Sequence, residues 1–281
     1  MTGSMLIVST LEELFSARSL LDGIVGLVPS MGYLHAGHIS LVQQAHRECR
    51  SVIVSIFVNP TQFGPNEDLE KYPRNLKRDL QLLEEAAVDI VWLPTAEIMY
   101  PPGYQTWVQV ENLTQPLEGS ARPGHFRGVT TVVSKLFNAT RPDKAFFGQK
   151  DAQQAAVIRQ MTRDLSYPLE VVICPTLREA DGLAMSSRNS YLDSSQRQAA
   201  RVLFRALSEA RAVYEKGETE AEKLRQIVRA VLAGEPLARL EYVSCADYDS
   251  LAELDSIHSK ALLSLAVYFG KTRLIDNFIL D

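Results

Sequence analysis

The run Ser51-Val52-Ile53-Val54-Ser55-Ile56-Phe57-Val58 limits what this chain can fold into more than any other stretch. It is nearly continuous in apolar, β-branched residues, the signature of a strand covered on both faces. A strand pattern over residues 24–28 precedes it, and between the two lies a helical pattern with Leu41, Val42, Ala45 and Cys49 on one face. Strand, helix and strand make a βαβ unit. Its right-handed crossover sets the strands parallel and brings both carboxyl ends to one edge, where open α/β sheets bind ligands.

The alternation continues along the chain. A helix with Leu76, Leu80, Leu83 and Ala87 on one face leads to a strand over residues 89–94 and a short one over 106–110. The stripe Val129, Val132, Val133, Leu136 and Phe137 is helical, and strands over 143–148 and 169–174 flank a helix carrying Val157, Ile158, Met161 and Leu165. The expected fold class is α/β: a Rossmann-like parallel sheet with helices on both faces. After Pro175 the composition changes. Helices from Ser194 and over 219–232, then strands over 240–246 and 260–269 and a last apolar element over 274–280, form a smaller α+β domain. The expected division is residues 1–176 and 177–281, with the second domain covering the active site.

With 281 residues, 46% of them hydrophobic, two cores are within reach. The net charge of −5 and pI near 5.6 argue against a general nucleic-acid or anionic-membrane binder. No apolar run approaches the roughly 20 residues of a membrane helix. Residues 1–4 read as an extension rather than a signal, so a cytoplasmic location is expected. Cys49, Cys174 and Cys245 are odd in number and lack C-x-x-C spacing, which makes them buried small hydrophobes rather than disulfide partners or zinc ligands.

Chemistry concentrates where strand passes to helix. In Ser30-Met31-Gly32-Tyr33-Leu34-His35-Ala36-Gly37-His38 two histidines share the first turn of a helix. A helix N-terminus suits an anion, and imidazole donors beside it can follow charge as it moves between phosphate oxygens. Neither G-x-G-x-x-G nor the G-x-x-x-x-G-K-[ST] loop is present. After the second strand, Asn59-Pro60-Thr61-Gln62-Phe63-Gly64-Pro65 offers amides for a substrate with hydroxyls and a carboxylate, and reads equally as an ordinary turn. Residues 117–128 read as a long loop holding Arg122, His125 and Arg127, either a cationic flap over phosphate or a solvated loop. Gly148-Gln149-Lys150-Asp151-Ala152-Gln153-Gln154 repeats the strand, glycine, helix pattern. Lys150 stands at the helix end that disfavours a cation, which suggests a bound anion. The polar stretch from Arg178 to Asn189 contains Met185-Ser186-Ser187-Arg188, a set of hydroxyls and a guanidinium for outer phosphates or plain linker chemistry.

The segments PSMGYLHAGH, FVNPTQF, ARPGHFRGV, FFGQKDAQQ, DGLAMSSRN and GKTRLIDN together resemble the pantothenate synthetase (pantoate–β-alanine ligase) family, in order and across nearly the whole chain. That family belongs to the HxGH nucleotidyltransferase-like Rossmann proteins. The resemblance implies ATP-dependent condensation of (R)-pantoate with β-alanine to pantothenate, through an enzyme-bound pantoyl adenylate, with release of AMP and pyrophosphate, on the route to coenzyme A. It implies Mg2+ with ATP and a homodimer. By position, Met31, Gly32, Tyr33, Leu34, His35, Ala36, Gly37 and His38 match the first ATP segment, with His38 the catalytic histidine and His35 its partner. Gly148, Gln149, Lys150 and Asp151 match the second, with Lys150 on the transferred phosphoryl group. Met185, Ser186, Ser187 and Arg188 match the third, and Leu177 a backbone contact to the nucleotide. Gln62 matches a glutamine shared by pantoate and β-alanine, Gln154 the other pantoate glutamine, with Asn59 assisting. Arg122 and His125 match a mobile-loop pair, and no protein ligand for the metal follows. Two departures stand out: Gln149 replaces a usual glutamate and Ser30 a common threonine. The rivals are another nucleotidyltransferase with the same histidine motif, which would lack Gln62, Gln154 and the second domain, a class I aminoacyl-tRNA synthetase, which would carry an anticodon-binding extension, and a non-catalytic nucleotide sensor, which would have lost His38 or Lys150.

Overall fold

The computed structural model describes residues 5–65 and 67–281, so the extension expected at residues 1–4 lies outside the described residues. The chain divides into two compact units. One comprises the residues up to Gly148 together with Gln154–Pro175, the other Gln149–Gln153 and Thr176–Asp281.

The first unit is built on parallel strands β1 (Leu6–Val8), β2 (Val25–Ser30), β3 (Ser51–Ile56), β4 (Ile90–Trp92), β5 (Lys144–Gly148) and β6 (Glu170–Cys174), in the order β1-β4-β3-β2-β5-β6. Its helices are α1 (Leu11–Arg18), α2 (Ala36–Glu48), α3 (Leu76–Glu85), α4 (Ala96–Met99), α5 (Glu118–Ala121), α6 (His125–Thr140) and α7 (Ala152–Asp164). Successive strand residues point to opposite faces. Val25, Leu27 and Ile53 enter a core with Leu14 of α1, Val129 and Val133 of α6 and Ile158 of α7. Val28, Val52 and Val54 enter another with Leu41 and Val42 of α2 and Leu83 of α3. Both faces of β3 are covered, as its apolar run requires. Strand order reverses at β2, with β3 on one side and β5 on the other. The crevice beyond the carboxyl ends of β2 and β5 is therefore the topological switch point, where ligands bind in such sheets.

Three local expectations are corrected. The sequence reading missed β1 and α1. Three residues are too few to show a period, but α1 carries a T-x-x-E signal: Glu13 N–H donates to Thr10 Oγ1 at 3.1 Å and Thr10 N–H to Glu13 Oε2 at 3.0 Å. Residues 106–110 form no strand. Val108 N–H donates to Thr131 Oγ1 at 3.1 Å and its carbonyl accepts from Thr130 Oγ1 at 2.6 Å, so hydroxyls of α6 stand in for a neighbouring strand. The loop expected over 117–128 contains α5 and the first turn of α6. That helix begins directly after Gly124 (φ +84°) with no side-chain cap, which removes the usual start signal.

The second unit holds α8 (Ser194–Ala199), α9 (Val202–Tyr214), α10 (Ala221–Ala233) and an antiparallel sheet β7 (Ala238–Asp247), β8 (Ala261–Phe269), β9 (Thr272–Leu280). Leu203 and Leu207 of α9 and Leu224 and Val228 of α10 pack on Leu263, Leu265 and Phe278 of the sheet. The α/β fold with a smaller α+β part is as expected. All three cysteines are free and buried, with burial pushing each thiol up to about 11. Among the described residues no helix is long and apolar enough to cross a membrane.

Candidate functional site

From the end of β2 the chain turns through Gly32 (φ +81°) and Tyr33 (φ +51°) before α2 begins. The left-handed region costs a non-glycine residue about 1 kcal/mol, so the turn needs an external hold. Asp79 of α3 supplies it. Buried, it accepts Tyr33 N–H on Oδ2 at 2.7 Å and Leu34 N–H on Oδ1 at 2.8 Å. Arg78 Nη1 donates to Leu34 O at 2.9 Å. The Ser30 hydroxyl donates to Ser55 O at 2.9 Å and accepts from Gly32 N–H at 3.3 Å.

This tethered loop delivers the two histidines to the N-terminus of α2. His35 is the N-cap, its Nδ1 accepting Gly37 N–H at 3.1 Å, while His38 Nδ1 accepts His35 N–H at 3.3 Å. The rings lie 4.0 Å apart between centroids. With Nδ1 acting as acceptor in both rings, the neutral imidazoles carry their proton on Nε2. Reciprocal capping thus selects the tautomer that makes each Nε2 a donor.

Gln62 is held just as firmly. Asn59, fully buried, accepts Thr61 N–H and the Tyr100 hydroxyl on Oδ1, and its Nδ2 donates to Gln62 Oε1 at 3.1 Å and Gly128 O at 3.2 Å. The polar atoms of Asn59 are engaged inside the unit, and their effect is to orient Gln62. With Oε1 occupied, Gln62 Nε2 meets the Met31 thioether at 3.1 Å, a weak acceptor that leaves donor capacity for a carboxylate or hydroxyl. The contact also joins the Gln62 turn to the histidine loop. Close approach of α6 depends on Gly128, where a Cβ would meet Thr61 O at 2.4 Å.

Arg122 and His125 brace the same turn from behind. Gln62 O accepts His125 Nδ1–H at 2.9 Å, and Arg122 Nη1 donates to His125 Nε2 at 3.1 Å while Arg122 forms an ion pair with Glu67 at 2.6 Å. A carbonyl on one side and a guanidinium on the other admit only neutral imidazole. Burial, then the Arg122 charge, bring its pKa down from 6.5 to about 4. Between these values the unfolded chain binds more protons than the folded one, so stability falls as pH drops from about 6.5 to about 4, by on the order of 3 kcal/mol in all. Urea unfolding at pH 7 and pH 4.5 checks this. His125→Asn should flatten the pH dependence, and an unchanged slope would mean the ring is not held neutral.

Arg127 lies over the Trp107 ring at 4.4 Å. Gln154 stands half-buried on the first turn of α7. Gly148 ends β5 in the first unit, and the remaining expected site residues belong to the second. Lys150 Nζ lies 3.6 Å from Asp151 Oδ1. Leu177 O accepts Met185 N–H at 3.0 Å, closing the loop between them, and Ser186 Oγ caps a 3-10 turn over Ser187–Tyr191 by accepting Arg188 N–H at 3.3 Å. Arg178 grips Asp276 in two bonds, 2.6 and 2.9 Å. Burial raises the Asp276 carboxyl above the usual carboxylate range, against the opposing charges of Arg178 and Lys150. Sequence reasoning missed the tasks of Asp79 and Glu67, because a lone carboxylate gives no sign of which distant N–H or guanidinium it will meet. Among the described residues no three His, Cys, Asp or Glu are grouped to hold a metal ion.

The profile of the Pantoate-beta-alanine ligase family matches residues 6–279. A pantothenate synthetase of Herpetosiphon aurantiacus is 60% identical over 277 residues, 98% of this chain and 100% of that protein. The crystal structure of pantothenate synthetase from Thermus thermophilus superposes with a TM-score of 0.93 at 48% identity, over 98% of this chain and 99% of that one. The pantoate-beta-alanine ligase of Francisella tularensis, solved with beta-gamma ATP and beta-alanine, is similar at a TM-score of 0.80 and 35% identity, over 98% of this chain and 97% of that one.

Proposed function

This chain belongs to the pantoate–β-alanine ligase family, and from that premise we propose that it joins pantoate to β-alanine at the expense of ATP, with the residues described above in named roles. The observation that carries the reading is the pair of Nε2 donors set by reciprocal capping at the N-terminus of α2, at the switch point of the sheet and tied to Gln62 through Met31.

A carboxylate is a poor acyl donor until its oxygen becomes part of a good leaving group. In the first step a pantoate carboxylate oxygen attacks the α-phosphorus of ATP. The new P–O bond forms as the bond to pyrophosphate breaks. His35 and His38 donate to the oxygens on which charge gathers, Lys150 adds a positive charge to the phosphoryl group, and Gln62 and Gln154 hold pantoate by its polar groups. In the second step the amine of β-alanine attacks the acyl carbon, the C–N bond forms, AMP departs with the electron pair of the C–O bond, and the amine loses a proton. Met31 to His38, Gly148 to Asp151, Leu177 and Met185 to Arg188 are assigned to ATP. Magnesium enters as part of the MgATP substrate, carried by phosphate oxygens and water. The same reading carries a homodimer and a cytoplasmic location.

The test is the product pair. With MgATP, pantoate and β-alanine, the protein should release AMP and pyrophosphate in step with pantothenate. Release of ADP and phosphate would place the attack at the γ-phosphorus and end the adenylate reading.

A further inference from the structure

Asn277 of β9 contacts the backbone on either side of Lys150. Asn277, buried on β9, donates through Nδ2 to Gln149 O at 3.1 Å and to Lys150 O at 2.8 Å, while its Oδ1 accepts Gln149 Nε2–H at 3.1 Å. The two carbonyls belong to the peptide planes before and after the Lys150 Cα. Each plane is rigid, so fixing both fixes φ and ψ of Lys150 and with them the direction of its Cα–Cβ bond. The two carbonyls only accept, so they set the Asn277 amide with its nitrogen toward them, and Gln149 Nε2–H meets the oxygen that faces away. Asn277 is itself held: its N–H donates to Asp276 Oδ1 at 2.8 Å, and that carboxylate is clamped by Arg178.

We propose that Asn277 is a positioning residue for the reaction, setting the aim of the Lys150 ammonium through the carbonyls of Gln149 and Lys150. A lysine hangs its charge on four rotatable bonds, so its reach is only as exact as the backbone it starts from. This inference rests on the phosphoryl-transfer role given to Lys150, and the experiment separates the two.

Initial rates of AMP formation are measured for the wild type, Lys150→Ala, Asn277→Asp, Asn277→Ala and the double variant Lys150→Ala/Asn277→Ala, each with a thermal melt. Asn277→Asp keeps size and shape but replaces both Nδ2–H donors with oxygen facing two carbonyls. It should lower kcat about 10- to 100-fold, the scale of a misplaced reacting group, while the KM for pantoate stays within about 2-fold. Asn277→Ala should behave alike. In the double variant the loss of Asn277 should add nothing beyond about 2-fold to the loss of Lys150, because a residue that acts only through the ammonium has nothing left to aim. A residue that merely stabilises the fold would lower both backgrounds equally. Asn277→Asp with kcat within about 2-fold of wild type overturns the inference, as does a double variant in which the two losses multiply. Near-normal turnover in Lys150→Ala instead removes the reading on which the inference stands. If Asn277→Ala fails to fold, Asn277→Asp decides alone.

Discussion

Replacing His38 with alanine is expected to lower the rate of AMP formation by two to three orders of magnitude while leaving a folded protein. His38 has two separable tasks. Its Nδ1 accepts the His35 N–H at the start of α2, and its Nε2 is the donor proposed to meet the phosphate oxygens. Loss of the first costs about 0.5–2 kcal/mol of stability, as for other capping side chains. Loss of the second costs about 2.7–4 kcal/mol of transition-state stabilisation, the measured worth of one donor to a developing oxyanion. The effects read out in different experiments, a melt for the first and single-turnover formation of the adenylate for the second. His38→Gln is the informative companion, because its amide restores one acceptor and one donor with altered reach. It should recover the melting temperature more fully than the rate. A His38→Ala protein that turns over within about 5-fold of wild type would take this residue out of the chemistry.

The histidine motif was legible because it is local. Strand end, left-handed glycine and helix start follow within nine residues, and the capping that selects the tautomer reaches only three residues along the chain. The sheet was legible for a related reason, since an apolar run such as that of β3 admits few burial schemes. What held these parts in place was not. Asp79 meets its N–H partners across 46 and 45 residues, and Asn277 meets Lys150 across 127. A carboxylate or amide with distant partners carries no periodicity and no motif. Arg122 and His125 teach the opposite lesson. Their sequence reads as a loop, either a cationic flap or a solvated one, because arginine and histidine stand beside Pro123 and Gly124. In the fold, Glu67 takes the guanidinium and the Gln62 carbonyl takes the imidazole, which makes the pair a brace behind the Gln62 turn.

Lys150→Ala should show the reverse pairing of effects: activity falls by two or more orders of magnitude, and stability holds or rises. The ammonium sits in the 3-10 turn Gln149–Asp151 that leads into α7, beside the positive end of that helix dipole. A cation there is unfavourable by about 0.3–1 kcal/mol, and the carboxylate paired with it, Asp151, stands half-exposed at 3.6 Å, where water screens the pair. Removing the charge relieves that repulsion. Within the fold the charge of Lys150 also acts on the buried Asp276 carboxyl, which Arg178 already pairs, so an arriving anion is what would use this ammonium fully. In the proposed function phosphate is that anion, and binding of MgATP should then stabilise the wild type against heat more than the alanine variant, because only the wild type gains a counter-charge. Lys150→Arg keeps the charge but moves it on a longer, planar head, and should rescue nucleotide-dependent stabilisation while leaving turnover low. An alanine variant that melts several degrees lower without ligand would show that the ammonium is held by the fold itself. A structural reading of Lys150 would then replace the catalytic one.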